Sequence, residues 1–383
     1  MKTCKHFGEC GGCRFQDISY EEQLAEKENR IKELIKNSDL DIKLKPIQYS
    51  DPWFYRNKME FSFADQGDIV CGLYSKNEKG KVVDIEECLI FSKDLKEILK
   101  AVKKFVRNKN FSVYNKYSRK GFLRNLIVRE TKFTNELMIG IVTTGCQDLD
   151  KEGFVNILAQ AKLDNKICSI YWIVNDSLSD AVIFETKHLL YGDKFIKEKL
   201  GDFIFQIGID SFFQVNPKMV AGFYQKMVDY TNVSDDKNVL DLFCGVGSIG
   251  IFLSPNAKSV LGVEVSEDIV DVACQNAKIN NIDNIKFITA DARRFLNLQA
   301  EPYKDIDILI INPPRSGLSN KITRAIKRLN PKLILYSSCN PDAFFRDLPS
   351  FWENYRADFV EPFDFFPHTP HMECLSILKK NNL

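Results

Sequence analysis

The sequence contains no apolar run approaching the roughly 18 residues that a membrane-spanning helix requires, and its start, MKTCKHFGECGGC, has no apolar core of the secretory kind. A cytoplasmic location is therefore expected, with no membrane partner. Net charge is almost absent: 53 Lys and Arg stand against 52 Asp and Glu, giving +1, which argues against a uniformly basic nucleic-acid binder. There is no internal repeat and no low-complexity linker. With 44% hydrophobic and 27% charged residues, the chain is neither disordered nor fibrous. Histidine is scarce, and two of the four present, His368 and His371, lie within five positions of Glu373. A monomer is the expected state.

The 383 residues exceed what one core usually organises. Three regions are expected. Residues 1–92 read as a small cysteine-bearing lobe with a helix near Tyr20–Ile35. Residues 93–205 read as a mixed α/β middle domain. Residues 206–383 show short apolar strands (NVLDLF, SVLGVEV, IKFITA, IDILIIN, LILYSS, CLSIL) alternating with helices. That alternation predicts an α/β fold with a doubly wound, Rossmann-like sheet.

The neutral average hides a local asymmetry. Residues 93–132 hold thirteen Lys or Arg against Asp94, Glu97 and Glu130. Lys96, Lys100, Lys103 and Arg107 fit a solvated helix face. Lys116, Arg119, Lys120, Arg124 and Arg129 crowd a strand-like segment instead, where an RNA phosphate backbone is the expected partner. Lys116, Arg119 and Arg124 are the candidate RNA contacts.

In NVLDLFCGVGSIGIFL a buried strand runs into Gly245, Gly247 and Gly250 and then a helix, a spacing that lets backbone approach a ligand at a helix start. Dinucleotide folds share it. Glu264, ending the next strand, is placed to take ribose hydroxyls, and Asp291, after the third, to meet an adenine edge. The rigid Asn312-Pro313-Pro314-Arg315 turn after the fourth strand favours S-adenosylmethionine over NAD. Gln214 in SFFQVNP fits either core packing or a loop closing on the methionine end of that cofactor.

Cys339, in LILYSSCNPD, ends a strand at the carboxyl edge where open α/β sheets place ligands, as a nucleophile would. Glu373 is the candidate base, with His368 and His371 as rivals or orienting partners. Cys244 and Cys374 read as packing residues. Cys4, Cys10 and Cys13 fall in C-x5-C-x2-C spacing, and three thiolates imply a fourth ligand. Cys88 is preferred over His6, Cys71 or water. Spacing alone leaves zinc and a 4Fe-4S cluster both open.

The ordered motifs DLFCGVGSIG, INPPRSG, YSSCNP and FPHTPHMECLSIL together resemble the RNA (uracil-C5)-methyltransferases over essentially the whole chain, and the cysteine-rich start resembles their ribosomal-RNA branches. The Asn-Pro-Pro-Arg form, without a small N-terminal β-barrel, is similar to the RlmC branch that modifies 23S ribosomal RNA. The resemblance implies a class I methyltransferase domain. It makes Cys339 the nucleophile and Glu373 the base, and it puts Gln214, Phe243, Glu264 and Asn312 around cofactor and target. It also puts a 4Fe-4S cluster on Cys4, Cys10, Cys13 and Cys88. Most members carry Asp where Asn312 stands, and many carry Asn where Ser248 stands. A transfer-RNA methyltransferase and a non-catalytic, zinc-stapled RNA-binding protein are the competing expectations.

Overall fold

The computed structural model describes residues 2–179, 182–300, 303 and 305–381. Its first elements are α1 (Tyr20–Asn37), β1 (Lys43–Leu44), β2 (Lys58–Asp65), β3 (Ile69–Tyr74), β4 (Val82–Asp84) and α2 (Leu95–Asn108). These are followed by β5 (Leu123–Glu130), β6 (Glu136–Thr143), α3 (Lys151–Ala159), β7 (Lys166–Val174), β8 (Thr186–Gly192), β9 (Ile196–Leu200) and β10 (Phe203–Ile207). Helix α1 starts with a capping box, in which Ser19 accepts from the Glu22 amide and Glu22 accepts from the Ser19 amide.

Strands β4-β3-β2-β5-β6-β7-β8 form one seven-stranded sheet. Met59, Phe61 and Phe63 alternate inward from β2, so this strand has one face to bury. It does so beside β5, antiparallel, with Phe61 opposite Leu126. The division expected between residues 92 and 93 therefore falls inside a single sheet. Nor does the helix near Tyr20–Ile35 belong to that sheet's lobe. Ile31, Leu40 and Ile42 pack with Leu309, Phe344 and Leu378 of the C-terminal half, and β1 pairs with a late strand, Lys43 opposite Phe359.

The C-terminal half comprises α4 (Pro217–Thr231), β11 (Asn238–Leu242), α5 (Ser248–Leu253), β12 (Ser259–Glu264), α6 (Glu267–Ile279), β13 (Ile285–Thr289), α7 (Ala292–Arg294), β14 (Ile308–Ile311) and α8 (Asn320–Leu329). After these come β15 (Leu333–Ser338), α9 (Pro341–Asp347), β16 (Tyr355–Ala357), β17 (Phe359–Phe363) and β18 (Glu373–Lys380). The sheet runs β1-β17-β18-β15-β14-β11-β12-β13, with β16 on β18. Strands β13, β12, β11, β14 and β15 are parallel, and the inner ones, covered on both sides, are largely apolar on both faces, whereas the edge strand β13 exposes Lys286 and Thr289. Strand order reverses at β11, flanked by β12 and β14, the switch point at which open α/β sheets bind ligands. The boundary expected at 205/206 cuts β10, whose Ile204 amide donates to Asn280, the residue that caps the C-terminus of α6, at 2.8 Å and whose Gln206 amide donates to Asn276 of α6 at 2.7 Å. Among the described residues no helix is long and apolar enough to cross a membrane.

Candidate active site

Phe243, Gly245, Gly247, Glu264, Asp291, Asn312 and Cys339 lie at or just after the carboxyl ends of the parallel strands. After β11 the chain turns left-handed at Phe243 (φ 64°), Gly245 (φ 54°) and Gly247 (φ 81°) before α5 begins. A phenylalanine in that region is strained, the kind of strain that clusters at ligand sites. Open space surrounds the position a Cβ would take on Gly245, which leaves the backbone accessible. Glu264 ends β12 and turns back to the same loop. Its Oε2 accepts from the Gly245 amide at 3.2 Å, and its Oε1 accepts from Val265 and Ser266 at 2.8 and 3.2 Å. Asp291 is exposed and caps α7, accepting from the Arg294 amide at 2.9 Å. Asn312, half-buried, follows β14.

Three residues in this region had no role in the sequence expectations: Asp241, Asn57 and the Arg315 side chain. Asp241 lies within β11, fully buried. Its Oδ2 accepts from the Gly250 amide at 3.2 Å, its Oδ1 has no partner, and burial raises its pKa to about 7. A lone carboxylate inside the apolar run NVLDLF was the visible signal. Asn57, from the segment before β2, donates to the Gln214 carbonyl at 2.8 Å, and its own amide donates to the Val215 carbonyl at 3.0 Å. Gln214 is thus buried in a segment held from the other sheet.

Cys339 and Glu373 meet because β18 is antiparallel to β15. The ladder ends with Ser338 opposite Cys374, so the residue after β15 and the residue that opens β18 stand side by side. Burial first, and then the Glu373 carboxylate, push the Cys339 thiol up to about 11, while Arg315 opposes them. Glu373 is buried, its Oε1 has no hydrogen-bond partner, and burial alone pushes it up to about 8. Arg315, from the Asn-Pro-Pro-Arg turn, contacts His371 Nδ1 at 3.0 Å, and its carbonyl accepts from Asn340 Nδ2 at 3.0 Å. The Arg315 side chain was not singled out beforehand.

The two histidines stand apart from the base position in different ways. His368 is buried, its ring 4.2 Å from that of Trp53 and its Nδ1 3.2 Å from Gln23 Nε2; burial lowers its pKa to about 4. His371 is exposed overall, and partial loss of solvent around its ring, followed by the Arg315 cation, lowers its pKa. Cys244 and Cys374 are both buried in the apolar core.

Cys4, Cys10, Cys13 and Cys88 line one small cavity together with His6, Met59 and Leu73. Cys71, weighed as a rival ligand, lies fully buried in the core of the seven-stranded sheet. The Gly12 amide donates to Cys10 Sγ at 3.4 Å. Burial, and then the neighbouring thiols, push Cys13 up to about 12. Among the described residues no group of three or more His, Cys, Asp or Glu side chains is disposed to hold a metal ion.

Of the basic residues, Lys116 and Arg119 lie exposed in the turn before β5, beside Tyr117, which is 86% exposed. Arg124 does not join them. It is buried, and its guanidinium donates to the carbonyls of Asn175, Ser177 and Ser179 at 2.7, 2.7 and 2.6 Å. Three carbonyls in a fork satisfy a guanidinium as phosphate would, so basic crowding on this strand has two physical causes. Lys103, expected on a solvated helix face, is also buried, paired with Asp84 at 2.5 Å. A cleft of about 880 Å³ lies where the two sheets meet. Arg14, Arg56, Lys58, Lys76, the 64% exposed Phe212 and His371 are among its lining residues.

The chain is similar to known proteins in sequence and in fold. The sequence profile of the tRNA (uracil-5-)-methyltransferase family matches residues 19–381. An uncharacterised RNA methyltransferase of Clostridium tetani is 36% identical over 99% of this chain and 84% of its own length. One from Staphylococcus aureus is 33% identical over 98% and 83%. The crystal structure of Pyrococcus abyssi tRNA (uracil-54, C5)-methyltransferase in complex with S-adenosyl-L-homocysteine superposes with a TM-score of 0.78 at 31% identity, over 96% of this chain and 86% of that one. With the family profile spanning all but the ends and relatives above 30% identity over its length, the chain belongs to the tRNA (uracil-5-)-methyltransferase family.

Proposed function

We propose that the protein transfers the methyl group of S-adenosylmethionine to C5 of a uridine in 23S ribosomal RNA, through a covalent bond between Cys339 and C6. The reading rests on one observation above all: the ladder of β15 and β18 sets Cys339 beside Glu373 at the sheet edge that also carries Gly245, Gly247, Glu264 and Asn312. The half-buried Phe243, the buried Gln214 and the exposed Asp291 complete the cofactor side of this reading.

Uracil C5 is too weak a nucleophile to attack a sulfonium methyl unaided. Addition of the Cys339 thiolate to C6 makes the ring an enolate, and C5 then takes the methyl group as S-adenosylhomocysteine leaves. Glu373 accepts the C5 proton, the ring electrons expel sulfur, and the thiolate is restored. Arg315 opposes the burial that holds the thiol protonated. The Asn312 amide can bond to a uracil edge with either of its ends.

Substrate choice is tested by incubating the protein with labelled cofactor and separately purified 23S rRNA and tRNA. Label in 23S rRNA alone is expected, and label in tRNA alone contradicts the ribosomal assignment. The Pyrococcus abyssi neighbour, a tRNA methyltransferase, favours that second reading.

RNA enters through the basic cleft and reaches the turn carrying Lys116 and Arg119. Replacing both with Ala is expected to weaken RNA binding and flatten its salt dependence, the slope falling by roughly 0.7–0.9 per lost phosphate contact. Fluorescence titration between low and moderate salt checks this, and an unchanged slope removes the turn from the footprint. Arg124→Ala should instead lower thermal stability, since three carbonyls lose their donor.

Four thiols lining one cavity support the reading that a 4Fe-4S cluster is held there. Cys4, Cys10, Cys13 and Cys88 would hold it, as a structural staple. Anaerobically purified protein should contain iron and acid-labile sulfide in about equal amounts, and zinc without iron overturns the assignment.

A further inference from the structure

One polar face of α1 runs along the segment that delivers the base. Tyr20, Gln23, Lys27 and Arg30 recur at helical spacing, and each bonds to the chain between residues 364 and 370. Tyr20 Oη donates to Asp364 at 2.9 Å. Lys27, 2% exposed, pairs with the fully buried Asp364 at 2.5 Å and donates to the Phe366 carbonyl at 3.1 Å. Gln23 accepts from the His368 amide at 3.0 Å and donates to the Phe15 carbonyl at 2.6 Å. Arg30 donates to the Pro370 carbonyl at 3.3 Å. On the far side of the segment the amides of Arg14 and Phe15, directly after Cys13, donate to the His368 carbonyl at 2.8 and 3.3 Å.

Nothing in the catalytic cycle touches Lys27 or Gln23. A buried lysine–carboxylate pair is nonetheless a costly feature, often no more stabilising than well-packed apolar residues, so stability alone does not explain it. Its geometric effect is specific. The 364–370 segment is irregular and holds His368 in a left-handed conformation (φ 64°), and it opens into β18 with Glu373 at the head. Fixing its path fixes where that carboxylate stands relative to Cys339.

We infer that the Tyr20/Gln23/Lys27/Arg30 face of α1 is a positioning element for the base, with Lys27 as its central positioning residue, so that the N-terminal cysteine segment and the proton-abstracting step share one strut. The inference rests on the proposed roles of Cys339 and Glu373. Those roles divide the cycle usefully: bonding of sulfur and methyl transfer do not need the base, whereas breaking the carbon–sulfur bond does.

Lys27→Met, Gln23→Ala and the double replacement Lys27→Met with Asp364→Leu are to be followed in single-turnover reactions with RNA and labelled cofactor. Denaturing gels separate methylated protein–RNA adduct from released product. In each variant the adduct should form at close to the native rate and resolve roughly ten- to a hundredfold more slowly, the cost of a misplacement on the ångström scale. KM for the cofactor should not change. The double replacement leaves no unpaired buried charge, and Gln23→Ala disturbs no charge, so a failure of Lys27→Met to fold does not end the test. Equal slowing of adduct formation and resolution would mean a merely structural role and would overturn the inference, as would native rates for both steps. If the native protein itself formed no adduct, the proposed mechanism would fail first, and the two failures are thereby distinct.

Discussion

Replacing Cys339 with Ala abolishes 5-methyluridine formation while leaving the cofactor bound. The predicted fall is at least about 10⁴-fold, the scale on which removal of a covalent nucleophile acts in other enzymes. The reason is local. Gly245, Gly247, Glu264 and Asp291 lie at or after the ends of β11, β12 and β13, whereas Cys339 follows β15, on the other side of β14 in the sheet. The variant should therefore bind S-adenosylhomocysteine with the native affinity, measured calorimetrically, and transfer no label to RNA. Its half-buried position means that losing the sulfur opens little cavity, so the variant should remain folded.

Glu373→Gln is expected to separate the two halves of the reaction. An amide of nearly the same shape cannot accept the C5 proton, so turnover should fall about 10²–10⁴-fold, and methylated adduct should accumulate in place of product. The same substitution has a stability consequence whose sign follows from burial. The Glu373 carboxyl is held protonated up to about 8, against an ordinary value of 4.5. Between those two values the unfolded chain binds fewer protons than the folded one, so stability falls as pH rises through the interval and the loss is complete above about 8. The glutamine variant carries no such proton. Its melting temperature should match the native protein's near pH 4.5 and exceed it by a growing margin up to pH 8, after which the margin stays constant. A base buried this way costs stability for function, and a variant that is less stable at pH 8 would contradict that reading. For the native enzyme, adduct resolution should quicken as pH rises toward about 8, where the carboxylate form takes over.

The C-terminal half was legible because its information is local. Each parallel strand is an apolar run followed at once by the residue it presents, as with Glu264 after SVLGV or Cys339 after LILYSS, so strand and site residue are read in one glance. The N-terminal half was not, since β2 pairs with β5 across more than sixty residues of chain and no local pattern distinguishes that pairing from two separate lobes. Helix α1 was placed correctly in sequence and misplaced in space. Its amphipathic pattern shows that it packs, but the partner, residues 364–370, lies at the far end of the chain. Arg124 shows a different limit: a guanidinium crowded among cations bonds equally well to phosphate or to carbonyls, and only the loop at 175–179 decides. Distance along the chain also hid Asn57, which ties the segment before β2 to residues 214 and 215 ahead of α4. Asp241 differs again, since a single carboxylate within the apolar run NVLDLF is visible in the sequence but its burial is not.

The central claim is a transient bond between one sulfur and a pyrimidine ring. RNA carrying 5-fluorouridine at the target position has no C5 proton for Glu373 to remove, so the cycle should stop with the ring attached. Tryptic mass spectrometry of the stalled complex is predicted to find a nucleotide bearing an added methyl group on the peptide containing Cys339. Turnover of ordinary RNA by the same preparation, with no nucleotide on that peptide when the fluorinated substrate is used, would contradict the account.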